Sequence, residues 1–433
     1  MNLQDNEEIK KIMKLRQDKI FKHLMEDDIS IEYPDGYDEK DPLENDFVIN
    51  MGPQHPATHG VLRLLLRLDG ERVRKCVPEI GYLHRGMEKI AENMGLHEFI
   101  PFTDRLDYIS PLMNNVGYTL ACENALGIDA PERAQWIRVL CCELARISSH
   151  MMAIGSMCND AGAVSFLLWT FTEREKIYDI IELITGVRFT TSYSRIGGVA
   201  NDISPEAIAK IKYFLDLYPE KEKFLKNVIL RNRIFIDRLS GTCVLEPERA
   251  IELGITGPVL RGCGISRDLR RDTPYLVYDQ LDFDVITEQD CDNWARNLVR
   301  VREMHESYKI VKQVLDKLEN MPKTLIRLEN AKTTFDMKEN IYTKMETLIS
   351  DFMLVNYGGV IPKGETYTAI EASKGELGFF IVSNGQGHPL KLKIRSASAS
   401  NLQCISDLVE GSMLSDVVLA IGSIDPIMGE VDK

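Results

Sequence analysis

The sequence predicts an α+β protein, with a central helical bundle flanked by small N-terminal and C-terminal β-containing regions. Near the start, two apolar runs are separated by Asp69-Gly70, a dipeptide typical of hairpins. In the middle of the chain, apolar residues recur at helical spacing over long stretches. After Asn356, glycine and alternating polar and apolar residues return. Long helices with short connections pack as a bundle, and antiparallel strands at either end form separate small sheets.

The N-terminal part divides into an extension and a small sheet. Residues 1–45 are predicted to form an acidic extension, because excess negative charge lies between Glu26 and Asp46. This composition favours a solvated leader over a docking tail. Residues 46–83 are predicted to form an antiparallel β region, with FVIN, VLRLLLRL and ERVRKCV as its strands.

Residues 84–355 are expected to form the helical core, and residues 356–433 a C-terminal β-containing region and tail. Within the predicted helix 131–157, one apolar stripe is expected to be buried: Trp136, Leu140, Leu144, Ile147 and Met151. The other predicted helices span residues 84–96, 171–185, 205–217, 220–241 and 287–318. The runs ETYTAIEASKGELGFFIVSNG and PLKLKIR are predicted to supply the C-terminal strands.

The bulk composition excludes several classes of protein. The 433 residues are 44% hydrophobic and 27% charged, as is ordinary for a soluble globular protein. The net charge of −14 argues against a nucleic-acid partner, because phosphate binding depends on clustered Lys and Arg. No apolar run is long enough to cross a bilayer and no secretory signal is evident, so a role at a membrane would require a partner. The nine cysteines contain no Cys-x-x-Cys pair, which indicates neither disulfides nor a cysteine-ligated metal site and fits a reducing cytoplasm.

The run MGPQHPATHG places His55 and His59 in a turn rich in glycine and proline. Two histidines four residues apart suggest a metal site, but Pro56 disfavours a helix and no acidic or sulfur ligand lies nearby in the sequence. By itself the pattern favours a structural or surface pair of histidines over metal ligands.

Two further segments carry charged and aromatic residues. GYLHRGMEK places Arg85 at the start of a helix, where Glu88 is its nearest ion-pair partner and a solvated helix start is an equally good alternative. TDRLDYISP contains Arg105 and Tyr108, and a tyrosine in such a place more often packs than transfers protons. Asp160, in SMCNDAGA, and the aspartate of the tail GSIDPIMGEVD are in local terms helix-end or turn residues.

In combination, these segments resemble the 49 kDa subunit of complex I, also known as its D-type subunit. The strings GPQHPATHG, GYLHRGMEK, TDRLDY, ERAQWIRV, RIGGVA, GPVLR and GSIDPIMGEVD occur in the order in which that family has them, from residue 46 to the C-terminus. Several motifs in register are far more specific than any one of them. The resemblance implies the fold that this family shares with nickel-iron hydrogenase large subunits.

Hydrogenase large subunits hold their metal with two Cys-x-x-Cys pairs. In this sequence the corresponding positions are Asp107 with Ser110 and Ile427 with Glu430. Because none of them offers a thiolate, no metal and no hydrogen activation are expected. The cleft that holds the metal in hydrogenases is expected to persist for another substrate.

The resemblance implies that this cleft binds a quinone headgroup. His59 matches the second histidine of the family's His-Pro-x-x-His-Gly turn, and Tyr108 matches the tyrosine of its Asp-Tyr motif. These two side chains would donate hydrogen bonds to the two carbonyl oxygens, and Asp160 matches the family aspartate that pairs with the histidine. Reduction places negative charge on both oxygens, so donors aimed at them stabilise the product and supply protons.

By the same resemblance, the chain works inside a proton-translocating complex. Electrons would arrive from an iron–sulfur cluster in the neighbouring B-type subunit, and Arg85 and Arg105 would lie near that cluster and raise its potential. NAD and FMN would bind in other subunits, since this chain has no Gly-x-Gly-x-x-Gly motif after a strand. Subunits C and I, and subunits A and H of the membrane arm at the quinone entry, are further expected partners. The protein would lie peripherally on the cytoplasmic face of the bacterial inner membrane.

The sequence departs from the family's pattern at Thr190 and Thr191. Many relatives have a histidine in this stretch, which is associated with coupling of the cluster potential to pH. Its absence predicts a weaker pH dependence of that potential. The last residue, Lys433, stands where Arg is common.

Two rival functions remain open for this sequence. One is the large subunit of an energy-converting hydrogenase, which a metal assay of the complex would identify. The other is a non-catalytic scaffold that docks the cluster-bearing protein to the membrane arm. In that case, loss of the His59 or Tyr108 side chain would leave turnover intact.

Overall fold

The described part of the chain begins with the predicted antiparallel sheet. A computed structural model describes residues 46–433 except Pro56, Ala57, His59, residues 329–332 and Met337, so the acidic extension lies outside the described residues. The first three strands are β1 (Asp46–Met51), β2 (Arg63–Asp69) and β3 (Arg72–Glu79), paired in the order β1-β2-β3. Leu64, Leu66 and Leu68 are buried on one face of β2, as the period of a strand requires. The strand predictions for this region are confirmed.

Helices dominate the region that follows. In chain order they are α1 (Met87–Ala91), α2 (Leu96–Thr103), α3 (Pro111–Leu126), α4 (Glu132–Asp160), α5 (Val164–Thr185), α6 (Pro205–Ile229), α7 (Arg233–Leu239), α8 (Pro247–Glu252), α9 (Pro258–Arg261), α10 (Leu269–Asp272), α11 (Asn293–Asn320), α12 (Lys338–Thr343) and α13 (Met345–Tyr357). Two short strands, β4 (Ser194–Arg195) and β5 (Gly198–Val199), pair between α5 and α6.

The long helix α4 lies at the centre of the bundle. It packs against α5 and α11 along its length and also contacts α3. The whole predicted stripe is buried, from Trp136 at 3% exposure to Met151 at 3%. Polar side chains of α4 are buried as well, among them Glu143, Arg146 and His150. The bundle predicted from helical periodicity is confirmed, and the α+β class with it.

Several predicted helix boundaries are wrong. The helix expected over residues 171–185 begins at Val164, and the one expected over residues 287–318 begins at Asn293. The helix expected over residues 84–96 is two short helices, because Gly86 before α1 adopts a left-handed conformation (φ 65°) and Gly95 provides an extended N-cap for α2. The two helices expected over residues 205–217 and 220–241 are instead α6, which continues through Pro219, followed by the short α7.

The C-terminal region contains a second sheet followed by helices. Its strands β6 (Gly364–Ala372), β7 (Gly375–Ser383) and β8 (Lys391–Arg395) are antiparallel in the order β6-β7-β8. The chain then forms α14 (Ala397–Leu402), α15 (Ile405–Val409), α16 (Leu414–Ile424) and α17 (Met428–Val431), which the sequence did not predict. Strands β6 and β7 pack on α3, and this packing brings the buried turn Ser373-Lys374 against the middle of α4.

Candidate functional site

Three motif-bearing segments meet at the C-terminal helix α17. Arg85 lies in the loop before α1, and its guanidinium donates hydrogen bonds to the carbonyl oxygen of Arg105 (2.7 Å) and to that of Gly429. Burial lowers the pKa of Arg85, and the negative charge of Asp432 acts against that effect. One arginine therefore joins the GYLHRG loop, the TDRLDY loop and the C-terminal turn.

Asp432 binds the loop that follows β3 to the same junction. Its carboxylate accepts hydrogen bonds from the backbone N–H groups of Gly81 (2.9 Å) and Leu83 (2.7 Å). Its carbonyl oxygen accepts one from Nδ1 of His84 at 2.6 Å. Charge-assisted bonds of this kind are the stronger ones in proteins, so the end of the chain is firmly attached to the loop that follows β3.

Tyr108 is held at this junction by its backbone and its ring. The Cα of Gly429 lies so close that a Cβ there would approach the carbonyl oxygen of Leu106 to 2.7 Å and Cδ1 of Tyr108 to 3.1 Å. The phenol is half-buried, and burial, followed by the charge of Asp107, raises its pKa. Within the part of the chain that the structure describes, its hydroxyl has no hydrogen-bond partner. It is therefore available to a ligand.

Asp107 and Ser110, which were expected to stand at the first cysteine pair of hydrogenases, form a hydrogen-bonded turn. Asp107 Oδ1 accepts from the N–H of Ile109 at 3.0 Å. Asp107 Oδ2 accepts from the hydroxyl of Ser110 at 2.5 Å and from that of Ser373 at 3.3 Å. The carboxylate is occupied by protein donors and fixes the backbone on both sides of Tyr108.

The second pair of positions is equally occupied. Glu430 accepts hydrogen bonds from the N–H of Ala397 (2.8 Å) and the hydroxyl of Ser398 (2.7 Å), and burial raises its pKa. Ile427 offers only an apolar side chain. Among the residues that the structure describes, no group of three His, Cys, Asp or Glu side chains is arranged to hold a metal ion.

The structure places Asp160 at the C-terminal end of α4, where it is partly buried. His59, its expected partner, lies outside the described residues. The turn that contains His59 is partly described: the carbonyl oxygen of His55 accepts hydrogen bonds from the N–H (3.1 Å) and the hydroxyl (2.8 Å) of Thr58. The pairing of His59 with Asp160 therefore stays a prediction.

The Arg85 guanidinium contacts the backbone of Arg105, but Glu88 is not the partner of Arg85 as the sequence suggested. The Glu88 carboxylate accepts hydrogen bonds from Nζ of Lys393 (2.9 Å) and from the N–H of Ile394 (3.1 Å), both on β8. Strand β8 packs on α1, so Glu88 turns towards this sheet. The side chain of Arg105 is exposed at the edge of the site.

The segment with Thr190 and Thr191 lies beside the loop of Arg105. Thr190 and the following Ser192 both have positive φ, 50° and 43°, an uncommon conformation for residues other than glycine. Ser192 donates from its N–H (3.1 Å) and its hydroxyl (2.6 Å) to the carboxylate of Asp104. Thr191 is buried at 9% exposure. This segment is thus bonded to the residue that precedes Arg105.

Sequence reasoning missed a buried lysine at the back of the site. Lys374, in the turn between β6 and β7, forms an ion pair with Asp425, and the exposures of the two side chains are 1% and 6%. Asp425 is the C-cap of α16 with φ 56°, so the turn aspartate predicted here is confirmed. Nζ of Lys374 also donates to the hydroxyl of Ser149 on α4 at 3.2 Å. No local pattern marks Ser149 or Lys374, because each gains its role only when β6, α4 and α16 meet.

A second buried network lies deeper between α4 and α11. His150 Nε2 donates to Glu303 at 2.8 Å, and Arg261 contacts Glu303 (2.5 Å) and Glu371 (2.7 Å). Burial lowers the pKa of His150 to about 4, so the imidazole is neutral near neutral pH. The sequence signal was the recurrence of polar residues at helical spacing on α4, a pattern that by itself predicts a solvated face.

None of the described helices is both long and apolar enough to span a membrane.

The sequence profile of a family described as the 49 kDa subunit of respiratory-chain NADH dehydrogenase matches residues 160–433. The chain is 54% identical over 420 residues to the D 1 subunit of the NADH-quinone oxidoreductase of Chloroherpeton thalassium, a match that covers 97% of this chain and 94% of that protein. It is 50% identical to the D subunit of the same enzyme of Salinibacter ruber, over 91% of this chain and 87% of the relative. The D subunit of Geotalea uraniireducens is 46% identical, over 89% of this chain and 98% of its own length.

These similarities define the class of the protein, which is a subunit of a respiratory-chain oxidoreductase. The chain belongs to the family of the 49 kDa subunit, the D-type subunit of NADH-quinone oxidoreductase, or complex I. The resemblance drawn from the seven motifs is confirmed.

Proposed function

We propose that this protein binds the quinone headgroup of a proton-translocating complex I and donates hydrogen bonds to it from His59 and Tyr108. One observation carries the proposal. The Tyr108 hydroxyl is half-buried, held by tight backbone packing, and has no hydrogen-bond partner among the described residues. A phenol in that state is pre-organised for a ligand oxygen.

The chemistry requires two donors on opposite sides of the quinone ring. Two electrons and two protons convert a quinone to a quinol, and negative charge grows on both oxygens during the reaction. His59 would supply one proton and Tyr108 the other, while Asp160 would orient the imidazole and favour its protonated form. Arg85 holds the Tyr108 loop through the carbonyl of Arg105, so the donor and the arginine pair form one unit.

Electrons would come from an iron–sulfur cluster of the B-type subunit, close to Arg85 and Arg105. The nine cysteines of this chain are all buried and none is bonded to another, which gives it no set of thiolates for a cluster of its own. We propose subunits C, I, A and H as further partners, with NAD and FMN bound elsewhere in the complex. The protein would lie on the cytoplasmic face of the bacterial inner membrane without inserting.

The rival functions are weaker on this geometry. A hydrogenase needs soft sulfur ligands, whereas Asp107 and Glu430 are engaged with protein hydrogen-bond donors. A purely structural scaffold would not need the Tyr108 hydroxyl to be held in a fixed position near Arg85 and Arg105.

Quinone reduction by membranes with Tyr108→Phe tests the proposal. This change deletes one hydroxyl and little volume, and turnover per assembled complex is expected to fall about 100-fold, as for loss of a proton donor. The control is Tyr118→Phe, which removes a buried hydroxyl that donates to Leu96 at 3.0 Å, away from the site. Equal turnover of the Tyr108 variant and the wild type, with the cluster reducible in both, would favour the scaffold.

We propose also that the cluster potential depends less on pH than in relatives with a histidine in the Thr190–Thr191 segment. The segment adjoins the loop of Arg105, and threonine does not titrate, so no proton uptake accompanies reduction there. Redox titration of the cluster at several pH values measures the slope. The variant Thr191→His is expected to steepen it, and an undiminished slope in the wild type would contradict the proposal.

A further inference from the structure

We propose that Lys374 is a buried proton source for this site and that Ser149 and Ser373 conduct its proton to the carboxylate of Asp107, next to Tyr108. This inference rests on the proposed function, because it supplies the proton that Tyr108 would give to the quinone. It assigns a role to three residues that take no part in the contacts with the headgroup.

The proposal rests on a continuous series of hydrogen bonds in which each group donates to the next. Nζ of Lys374 donates to the Ser149 hydroxyl (3.2 Å), and the Ser149 hydroxyl donates to Ser373 (3.0 Å). Ser373 donates to Asp107 Oδ2 at 3.3 Å. A parallel branch runs through Ser110, which lies 3.1 Å from Ser373 and 2.5 Å from Asp107. In the bonds from Lys374 through Ser149 and Ser373 to Asp107, each donor lies on the lysine side and each acceptor on the carboxylate side.

The chain is sealed from bulk water. Lys374 is 2% exposed, Asp107 is 1% exposed, and Ser149 and Ser373 are fully buried. The four residues come from the β6–β7 turn, helix α4 and the Tyr108 loop, so their meeting is a tertiary feature. Buried lysines are rare unless paired, and a hydroxyl chain at the ammonium is more than ion pairing with Asp425 requires.

The charges around Lys374 make its proton available. Burial lowers its pKa to about 8, and the cations Arg300 and Arg174 act in the same direction. The carboxylates of Asp107 and Glu430, and Asp425 in direct contact, favour the charged form. An ammonium that titrates close to neutral pH can release a proton without a large cost, unlike a lysine in water.

Asp425 orients the ammonium. Its φ of 56° is left-handed, which is uncommon for a residue other than glycine and requires support from its surroundings. Pro426 follows it and ends α16. The carboxylate is thereby turned inwards to Lys374, and Nζ keeps a hydrogen atom directed at Ser149.

The proton transfers balance without any electron moving through the chain. Tyr108 gives its proton to a quinone oxygen and becomes a phenolate. Asp107 receives a proton from Ser373, which is refilled from Ser149 and then from Lys374. No direct hydrogen bond joins Asp107 to the phenolate, so a water molecule of the quinone cleft would carry the proton from the neutral acid to Tyr108, and Lys374 ends as a neutral amine. After the quinol leaves, a solvent proton enters at the Tyr108 side of the site and passes back through Asp107, Ser373 and Ser149, which restores the ammonium.

The test uses the complete complex in membranes, with turnover normalised to assembled complex. Ser373→Ala and Ser149→Ala are expected to lower turnover roughly 10- to 100-fold, to leave the KM for quinone unchanged and to keep the cluster reducible. Ser373→Thr keeps the hydroxyl and is expected to restore most of the rate. The matched control is Ser148→Ala, since Ser148 is 1% exposed, precedes Ser149 on α4 and contacts Arg174 instead of the chain.

The pH profile gives the readout that a structural role would not change. Turnover of the wild type is expected to fall as pH rises through about 8, where Lys374 loses its proton. Lys374→Met is expected to be slow at every pH and to lack this alkaline limb. If Ser373→Ala does not assemble, Ser149→Ala and Lys374→Met give the same comparison.

The possible failures are distinguishable. Wild-type turnover in the serine variants, together with a large loss in Tyr108→Phe, overturns the relay and leaves the quinone site standing. Wild-type turnover in all of them rejects the proposed function itself. An equal loss in Ser148→Ala and Ser149→Ala would mean that any buried hydroxyl of α4 matters, and it would overturn the relay as well.

Discussion

Gly429 is the residue on which the position of Tyr108 most directly depends. Its Cα faces the backbone carbonyls of Arg105 and Leu106, and an added Cβ would lie 3.0 Å and 2.7 Å from their oxygens. Backbone carbonyls cannot rotate away as the end of a side chain can, so a methyl group here would displace either α17 or the Tyr108 loop. A donor that moves by about 1 Å loses much of its contribution to a reaction.

Gly429→Ala is therefore expected to lower quinone-dependent turnover by roughly 100-fold per assembled complex. The control is Gly95→Ala, because a Cβ at Gly95 would make only an ordinary contact, 3.5 Å from Gly358. The rate of NADH-dependent quinone reduction in membranes measures both variants. Comparable rates in the two would show that the loop tolerates the displacement.

At this scale, sequence reasoning reached the residues that belong to recognisable strings. Arg85 and Arg105 were predicted to lie near a partner's cluster and Tyr108 at the quinone; the structure places the three close together, and their roles stay predictions. Lys374 and Ser373 were missed because a Ser-Lys-Gly sequence between two strands is typical of any surface turn. Their burial depends on packing of the β6–β7 turn against α4, which no local pattern records.

Helix α4 shows both the strength and the limit of periodicity. Its apolar stripe was predicted correctly, and the five residues of that stripe are buried. The polar residues Glu143, Arg146 and His150 recur at spacings of three and four on another face. On a single helix such a stripe predicts a solvated face. Here it is buried because Glu143 and Arg146 pair with each other, Glu303 of α11 contacts His150, and β6 offers backbone carbonyls to Arg146, so these contacts replace solvation.

Two other helices show why further predictions failed. Pro219 removes one backbone hydrogen bond from α6, and the prediction placed a break there. The helix continues because Tyr218 before the proline and Leu225 after it are both buried in the same core. Helix α3 was not predicted because nearly every side chain from Pro111 to Glu123 is buried. A helix enclosed on all sides has no polar face and hence no hydrophobic period.

Across the whole molecule, buried charges link the helical bundle to the C-terminal sheet. Arg261 of α9 contacts Glu303 of α11 and Glu371 of β6, and Arg270 of α10 contacts Asp268 at 2.6 Å. Removing one partner of such a buried ion pair lowers the free energy of unfolding by several kcal/mol, because the other charge stays buried without a counter-charge. The site at α17 therefore stands on a scaffold whose stability depends on protonation.

The direction of that dependence follows from His150 and Asp268. His150 has a pKa of about 4 in the folded protein, below the usual value, so the unfolded chain takes up a proton first as pH falls. Its contribution to stability is complete above pH 6.5 and is lost progressively down to about pH 4. The pKa of Asp268 is lowered to about 2, and its contribution is lost at still lower pH. Glu371 and Glu430, whose pKa values burial raises, act in the opposite direction.

His150→Gln is expected to flatten the acid side of the stability profile. The glutamine amide can donate to Glu303 as the neutral imidazole does, but it takes up no proton. Between pH 7 and 5 the wild type is expected to lose about 2 kcal/mol more than the variant, which corresponds to roughly 2 °C in the midpoint of thermal unfolding. Heating the purified complex at each pH, followed by return to pH 7 and proteolysis of this chain, measures that midpoint. The control is His305→Gln on helix α11, which also carries Glu303, because the side chain of His305 is 38% exposed. Parallel profiles for the wild type and His150→Gln would mean that the buried imidazole is already protonated at neutral pH, as an ion pair with Glu303.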